Sequence, residues 1–172
     1  FITIIIIITP FSYIFAETIA VVNIKYLIDN NLIFNETLKE MNESQEKYKK
    51  NFNTKEDELK KILDEIEKSK LILSENEINL KIEDYNTQFA TFSTLVDEFN
   101  YHYQNEIIKI REAVLKEIIK LLEKYAIENN VDLILDSTSY LIASNSLDIT
   151  ETISEKLNKI NFKLEYKNFE KN

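Results

Sequence analysis

Residues 74–129 read SENEINLKIEDYNTQFATFSTLVDEFNYHYQNEIIKIREAVLKEIIKLLEKYAIEN, and this stretch decides the fold. Ile78, Ile82, Tyr85, Phe89, Phe92, Val96, Phe99, Tyr103, Ile107, Ile110, Val114, Ile118, Leu121 and Tyr125 follow one another in steps of three and four, with one stutter near Val114. That spacing keeps apolar side chains on one face of a helix. Ser74 followed by Glu75 and Glu77 marks the helix start, where acids oppose the positive end of the dipole. The stretch contains no Gly and no Pro. It therefore predicts one helix of about 55 residues, about 80 Å long.

A second seam precedes it. Leu38, Met41, Gln45, Tyr48, Phe52, Lys55, Leu59, Ile62 and Ile66 keep the same spacing, with Gln45 and Lys55 as polar members. Asn35 is the expected N-cap, and this arm spans about 36 residues, or about 54 Å. The turn between the arms is placed at 71–74. Two helices of this length cannot share the inside of one globule. They fold back as a hairpin or stand out as an arm, which suits a grip or a spacer better than a pocket enzyme.

Short β-like segments flank the hairpin. Ile19-Ala-Val-Val-Asn-Ile24 is β-branched and compact, as a buried strand is. A short helix over 25–32 follows it. Val131 to Asp136 is a second strand candidate and Tyr140 to Ser144 a third, with Ser137, Thr138 and Ser139 as a turn between them. Asp148 to Glu151 opens a short helix that places Ile153 and Leu157 on one face. The tail from Phe162 to Asn172 alternates Phe162, Leu164 and Tyr166, which fits an added strand as well as a frayed end. The fold class is α+β, a small β body carrying a long antiparallel coiled-coil hairpin. The body comprises residues 17–34 and 131–160, the hairpin 35–130 and the tail 161–172.

Residues 1–16 are almost wholly apolar, yet as helix they reach only about 24 Å, short of a bilayer core. A signal-peptide core cleaved after Ala16 is the expectation, which makes the mature chain an exported one starting near Glu17. An uncleaved membrane anchor is the alternative. Composition excludes several functions. With Gly and Cys both at 0, no phosphate-cradling loop and no thiolate metal site can form. No cofactor is expected. The formal charge of −9 divides as −2 over 1–38, 0 over 39–74, −5 over 75–130 and −2 over 131–172. No stretch is strongly basic, so nucleic acid is not an expected partner. His102 is the lone His, and with no orienting carboxylate or nucleophile singled out its expected role is structural. Acid and Lys residues at helical spacing, such as Glu117 with Lys120, are expected as solvated ion pairs. The protein is not expected to be an enzyme.

Three short strands are marginal alone, and their edges invite another chain. A symmetric oligomer that merges strands from several copies solves both problems. Ile19, Val21, Val22, Ile24, Leu133, Ile134, Leu135, Leu141 and Ile142 are the candidates for that shared core.

The run VDLILDSTSYLIASNSLDIT at 131–150 closely resembles the C-terminal signature of the Skp/OmpH family of periplasmic chaperones, and Ile19-Ala-Val-Val-Asn23 resembles its first strand. The long helices stand where that family has its variable tentacles, so the likeness spans about residues 17–160. It implies a homotrimer with a β-rich body and three tentacles around a cavity. It further implies an ATP-independent holdase for unfolded outer-membrane proteins. Asn23 stands where the family commonly has Asp, and Asn129-Asn130 where Gly commonly precedes the second strand. The net-acidic arms depart from basic members and weigh against electrostatic capture of acidic clients or lipopolysaccharide. Off-seam Leu63, Leu80, Leu95, Tyr101 and Ile108 are the candidate client contacts, with a broadened seam as the alternative. A membrane-anchored structural coiled-coil spacer is the rival function.

Overall fold

The computed structural model describes residues 17–170; the expected leader, residues 1–16, lies outside them. The element order is β1 (Ile19–Val22), α1 (Ile24–Asp29), α2 (Leu32–Ser69), α3 (Glu75–Asn129), β2 (Leu133–Asp136), two 3-10 turns (Ser137–Ser139 and Asn145–Leu147) and α4 (Thr150–Leu157). β1 and β2 pair in parallel, with Ile19 opposite Leu133 and Val22 opposite Asp136. Parallel neighbours need a crossover connection. Here the crossover is the entire hairpin of α2 and α3, so the arm is an insertion between two strands that touch.

The first three helices each start at a capping side chain, whereas α4 follows Ile149, which offers none. Asn23 caps α1 by accepting from the Tyr26 N–H at 2.8 Å. The first arm starts earlier than the Asn35 the spacing pointed to. Asn31 caps it, accepting from the Phe34 N–H at 2.9 Å while its own amide donates to Asn158. Asn31 is buried, and Phe34, just after it, is a core residue. The seam therefore begins one turn before the periodic pattern becomes visible. Ser74 caps α3 through a capping box with Glu77. The turn between the arms is residues 70–74, close to its expected place.

α2 and α3 pack along the two seams. Phe99 is the centre of an aromatic box, with ring centroids 5.0 Å from Phe52, 5.0 Å from Tyr103 and 5.5 Å from Tyr48. Further out the seam passes a polar layer, where Lys55 Nζ donates to Gln88 Oε1 at 3.3 Å. Leu59 and Ile66 close it again beyond. Phe89 departs from expectation: it is half exposed and stacks on Tyr85 rather than filling the seam. Toward the body, Ile110, Val114 and Ile118 of α3 join Ala20 and Val22 of β1, Leu27 of α1, and Ile153 and Leu157 of α4 in one core. The longer arm thus passes alongside the body and forms its floor.

Two expectations about the C-terminal part change. Tyr140 to Ser144 forms no strand. The Asp136 carboxylate accepts from Thr138 and from the Ile24 N–H. The 3-10 turn it holds leads the chain off the sheet. β1 instead receives an isolated bridge between Val21 and Asp148 on its second edge. The described part of the tail, residues 161–170, forms no strand. It lies extended along the base of the arm, with Leu164 and Phe169 buried.

A candidate body face, arm stripe and tail groove

Strand alternation divides the small sheet into two faces. Ala20, Val22 and Ile134 point into the helical core. Ile19, Val21, Leu133 and Leu135 point the other way. Val21 is buried and Leu135 half-buried, while Ile19 and Leu133 are 37 % and 47 % exposed. Leu141 and Ile142, which the turn throws outward, are 100 % and 92 % exposed. Among the described residues no strand pairs with the outer edge of β2. Of the nine residues expected in a shared core, then, Val22, Ile24 and Ile134 contribute to the chain's own core. Ile19 and Leu133 on the sheet, and Leu141 and Ile142 beyond the turn, are apolar residues that this chain does not cover.

The five off-seam candidates on the arm divide as well. Leu63, Leu80, Tyr101 and Ile108 are exposed, by 41 %, 66 %, 68 % and 52 %. Leu95 is half-buried and packs against the core. Leu80, Tyr101 and Ile108 are separated by multiples of seven residues, so they share one stripe of α3. Between the long side chains of this stripe lie Thr87 and Thr94. The aromatic cluster therefore serves two purposes, with Phe99 and Tyr103 inside and Tyr101 outside. Leu71 and Ile72 at the turn are 92 % and 85 % exposed. Sequence reading placed the turn there without marking its tip as apolar.

The tail is bonded to the arm through both main chain and side chains. The Glu106 carboxylate accepts from the Lys167 N–H at 2.9 Å and from Lys109 Nζ. His102 Nε2 donates to the Lys167 carbonyl at 2.8 Å, which gives the lone His a structural place. Tyr48 donates its hydroxyl to the Phe169 carbonyl at 2.6 Å, and Ser44 Oγ lies 2.6 Å from Asn168 Oδ1. The Phe169 ring completes the aromatic box, 5.4 Å from Phe99 and 5.5 Å from Tyr48. Glu106 is 3 % exposed. Burial alone pushes its carboxyl up, but the bonds from Lys109 and the Lys167 N–H outweigh that and hold it below the ordinary glutamic value. Tyr166 is pushed the other way by burial and by the charges of Glu40 and Glu43 on α2.

Beside the tail, α3 carries an open depression of about 1330 Å³ whose walls include Tyr101, Glu106 and Phe169. A second hollow of about 470 Å³ runs between the arms at Tyr48, Phe52, Phe92 and the Lys55–Gln88 layer. Thr91 and Leu95 line both. Among the described residues no group of three or more His, Asp or Glu side chains converges as a metal site. No described helix is long and apolar enough to cross a membrane.

Comparison with known proteins agrees with this architecture. No curated protein matches the chain. Among solved structures, a crystal structure of a candidate OmpH-like outer membrane chaperone from Caulobacter crescentus CB15 superposes with a TM-score of 0.63. The match is 10 % identical in sequence and covers 87 % of this chain and 91 % of that one, so the likeness is one of fold. The profile of the family described as Outer membrane protein (OmpH-like) matches residues 18–157, from the first strand through the hairpin to the last helix, and by that match the chain belongs to the OmpH-like family.

Proposed function

We propose that the protein is a periplasmic, ATP-independent holdase that keeps unfolded outer-membrane proteins from aggregating on their way to the outer membrane. Three copies merge their body faces at Ile19, Leu133, Leu141 and Ile142, and their arms enclose the client. The observation that carries this reading is the arm itself. It is a 55-residue helix paired over its outer part with α2, and it exposes Leu80, Tyr101 and Ile108 along one stripe with polar surface between them. Isolated apolar side chains give contacts that are weak singly and strong together, which holds a client without imposing a conformation. Family membership and the chaperone fold neighbour support the same reading.

The test is suppression of light scattering when a urea-unfolded outer-membrane β-barrel protein is diluted into the purified chain. Replacing Leu63, Leu80, Tyr101 and Ile108 together by Ser should weaken suppression while the oligomer mass, measured by light scattering on a sizing column, stays the same. Undiminished suppression with an intact oligomer counts against the stripe as the grip. A chain that suppresses nothing at any ratio would be a spacer.

A further inference from the structure

We propose that the trough at the base of the arm is a groove for extended segments that alternate apolar and polar residues, and that the chain's own tail is its displaceable occupant. The polar contacts are the main reason. His102, Glu106 and Tyr48 all bond the tail's main chain, at the Lys167 carbonyl, the Lys167 N–H and the Phe169 carbonyl. Ser44 with Asn168 is a side-chain pair. Main-chain recognition of this kind does not depend on sequence, and specificity is left to pockets for alternate side chains. The alternate side chains Phe162, Leu164 and Tyr166 are half-buried, buried and half-buried against the core, and Phe169 is buried beyond them. Beyond Phe169 an apolar hollow lies close by: Tyr48, which the Phe169 ring packs against, lines the space between the arms together with Phe52 and Phe92. A competing segment can seat an apolar side chain there and then replace the tail residue by residue.

The occupant that fits is a strand of an unfolded outer-membrane barrel. Such strands alternate apolar and polar residues, as residues 162–166 do, and their backbone bonds are unmade before the barrel closes. The identity of this occupant rests on the holdase reading above, whereas the groove itself does not. A tethered tail competes at about millimolar effective concentration, so it sets a threshold that weak, non-specific segments fail to cross.

The test uses the absence of Cys from the chain. Ser44→Cys with Asn168→Cys, closed by oxidation or by a short bis-thiol linker, fixes the tail in place and is reversible in the oxidised form. The probe is a fluorescent peptide with the chain's own residues 160–170, followed by anisotropy. The open form should bind it at least about tenfold more tightly than the closed form, because affinity scales with the fraction of competent groove. Phe169→Ser, checked for folding by circular dichroism, should bind it more tightly than the parent. Equal binding by open and closed forms overturns the groove. A second readout, suppression of β-barrel aggregation by the same two forms, decides the occupant. Weaker suppression by the closed form supports a client strand, and equal suppression by both removes the client from this groove. If neither form suppresses aggregation the holdase reading falls, while the peptide measurement still decides the groove.

Discussion

At the scale of single residues, Asn does the work that Gly and Asp do in most chains. Asn130 ends α3 in the left-handed region, at φ 51° and ψ 47°, and its N–H bonds the Ala126 carbonyl. The chain has 0 Gly, and Asn is the next residue type that tolerates this conformation. Asn130→Val should lower stability by about 1–2 kcal/mol, and Asn130→Gly should be neutral or slightly stabilising. Urea midpoints of the two variants check this. Asn23 likewise caps α1 with a side-chain carbonyl in place of a carboxylate, and its N–H reaches Thr150 Oγ1 at 2.9 Å, tying β1 to α4. Glu106 makes the acid side of the stability curve specific. Its folded pKa lies below the ordinary 4.5, so the unfolded chain takes up the proton first. The stability it confers is whole above about pH 4.5 and is lost as pH falls through the folded value. The groups facing it are Lys109 and His102 on α3 and the Lys167 N–H of the tail. Glu106→Gln should cost about 1 kcal/mol near pH 6, since the Lys109 partner is largely solvated. The variant should also lose less stability than the parent between about pH 5 and 3. A larger loss in the variant would assign the acid limb to other carboxylates.

At the scale of elements, what the sequence announces depends on whether side-chain period carries the contact. The two arms, the Ser74 start and the apolar face of α4 were legible because each buries a stripe at helical spacing. The start of α2 was misplaced by a turn because Asn31 is itself buried and breaks the pattern it opens. The third strand failed for a different reason. Tyr140 to Ser144 has the composition of a strand, but a ladder needs a partner edge and the turn at Asp136 directs this segment away from one. The tail was the least legible element, since a segment held through its main chain leaves little trace in side-chain pattern. Gln45 and Lys55 were visible as flaws in the seam, and Lys55 proves to bond Gln88 across it beside the hollow. A polar pair at a seam position lowers stability while fixing register. Lys55→Leu with Gln88→Leu should therefore stabilise the hairpin by about 1 kcal/mol. Hydrogen exchange should slow across residues 55–88 and change little near Val114. Uniform slowing along the whole arm would mean that the polar layer is not where the arm loosens.

At the scale of the whole molecule, the chain is built as a core with one face left uncovered. α1, α3 and α4 seal the inner side of the sheet, and the tail seals the base of the arm. The outer side keeps Ile19, Leu133, Leu141 and Ile142 in water. Exposed apolar residues scattered singly need no explanation, but Ile19 and Leu133 are opposite one another on the sheet beside the free edge of β2, and Leu141 and Ile142 follow β2 within a few residues. A monomer and an oligomer answer the same substitution differently. In a monomer Leu141 and Ile142 touch almost nothing, so Leu141→Glu with Ile142→Glu should shift stability by no more than about 0.5 kcal/mol and leave the mass unchanged. In an oligomer that merges these faces, the pair places charges at the centre of a desolvated contact, where each unpaired charge costs several kcal/mol. The expected outcome is the second: the variant should run as a monomer on a calibrated sizing column with light scattering. The helix signal of α2 and α3 should persist, because their seams are made within one chain. Val114→Glu, aimed at the chain's own core, should instead remove the fold outright, which separates loss of assembly from loss of structure. If the double variant keeps the parent's mass, the copies meet elsewhere, and the bare face of the sheet belongs to a client or to another protein.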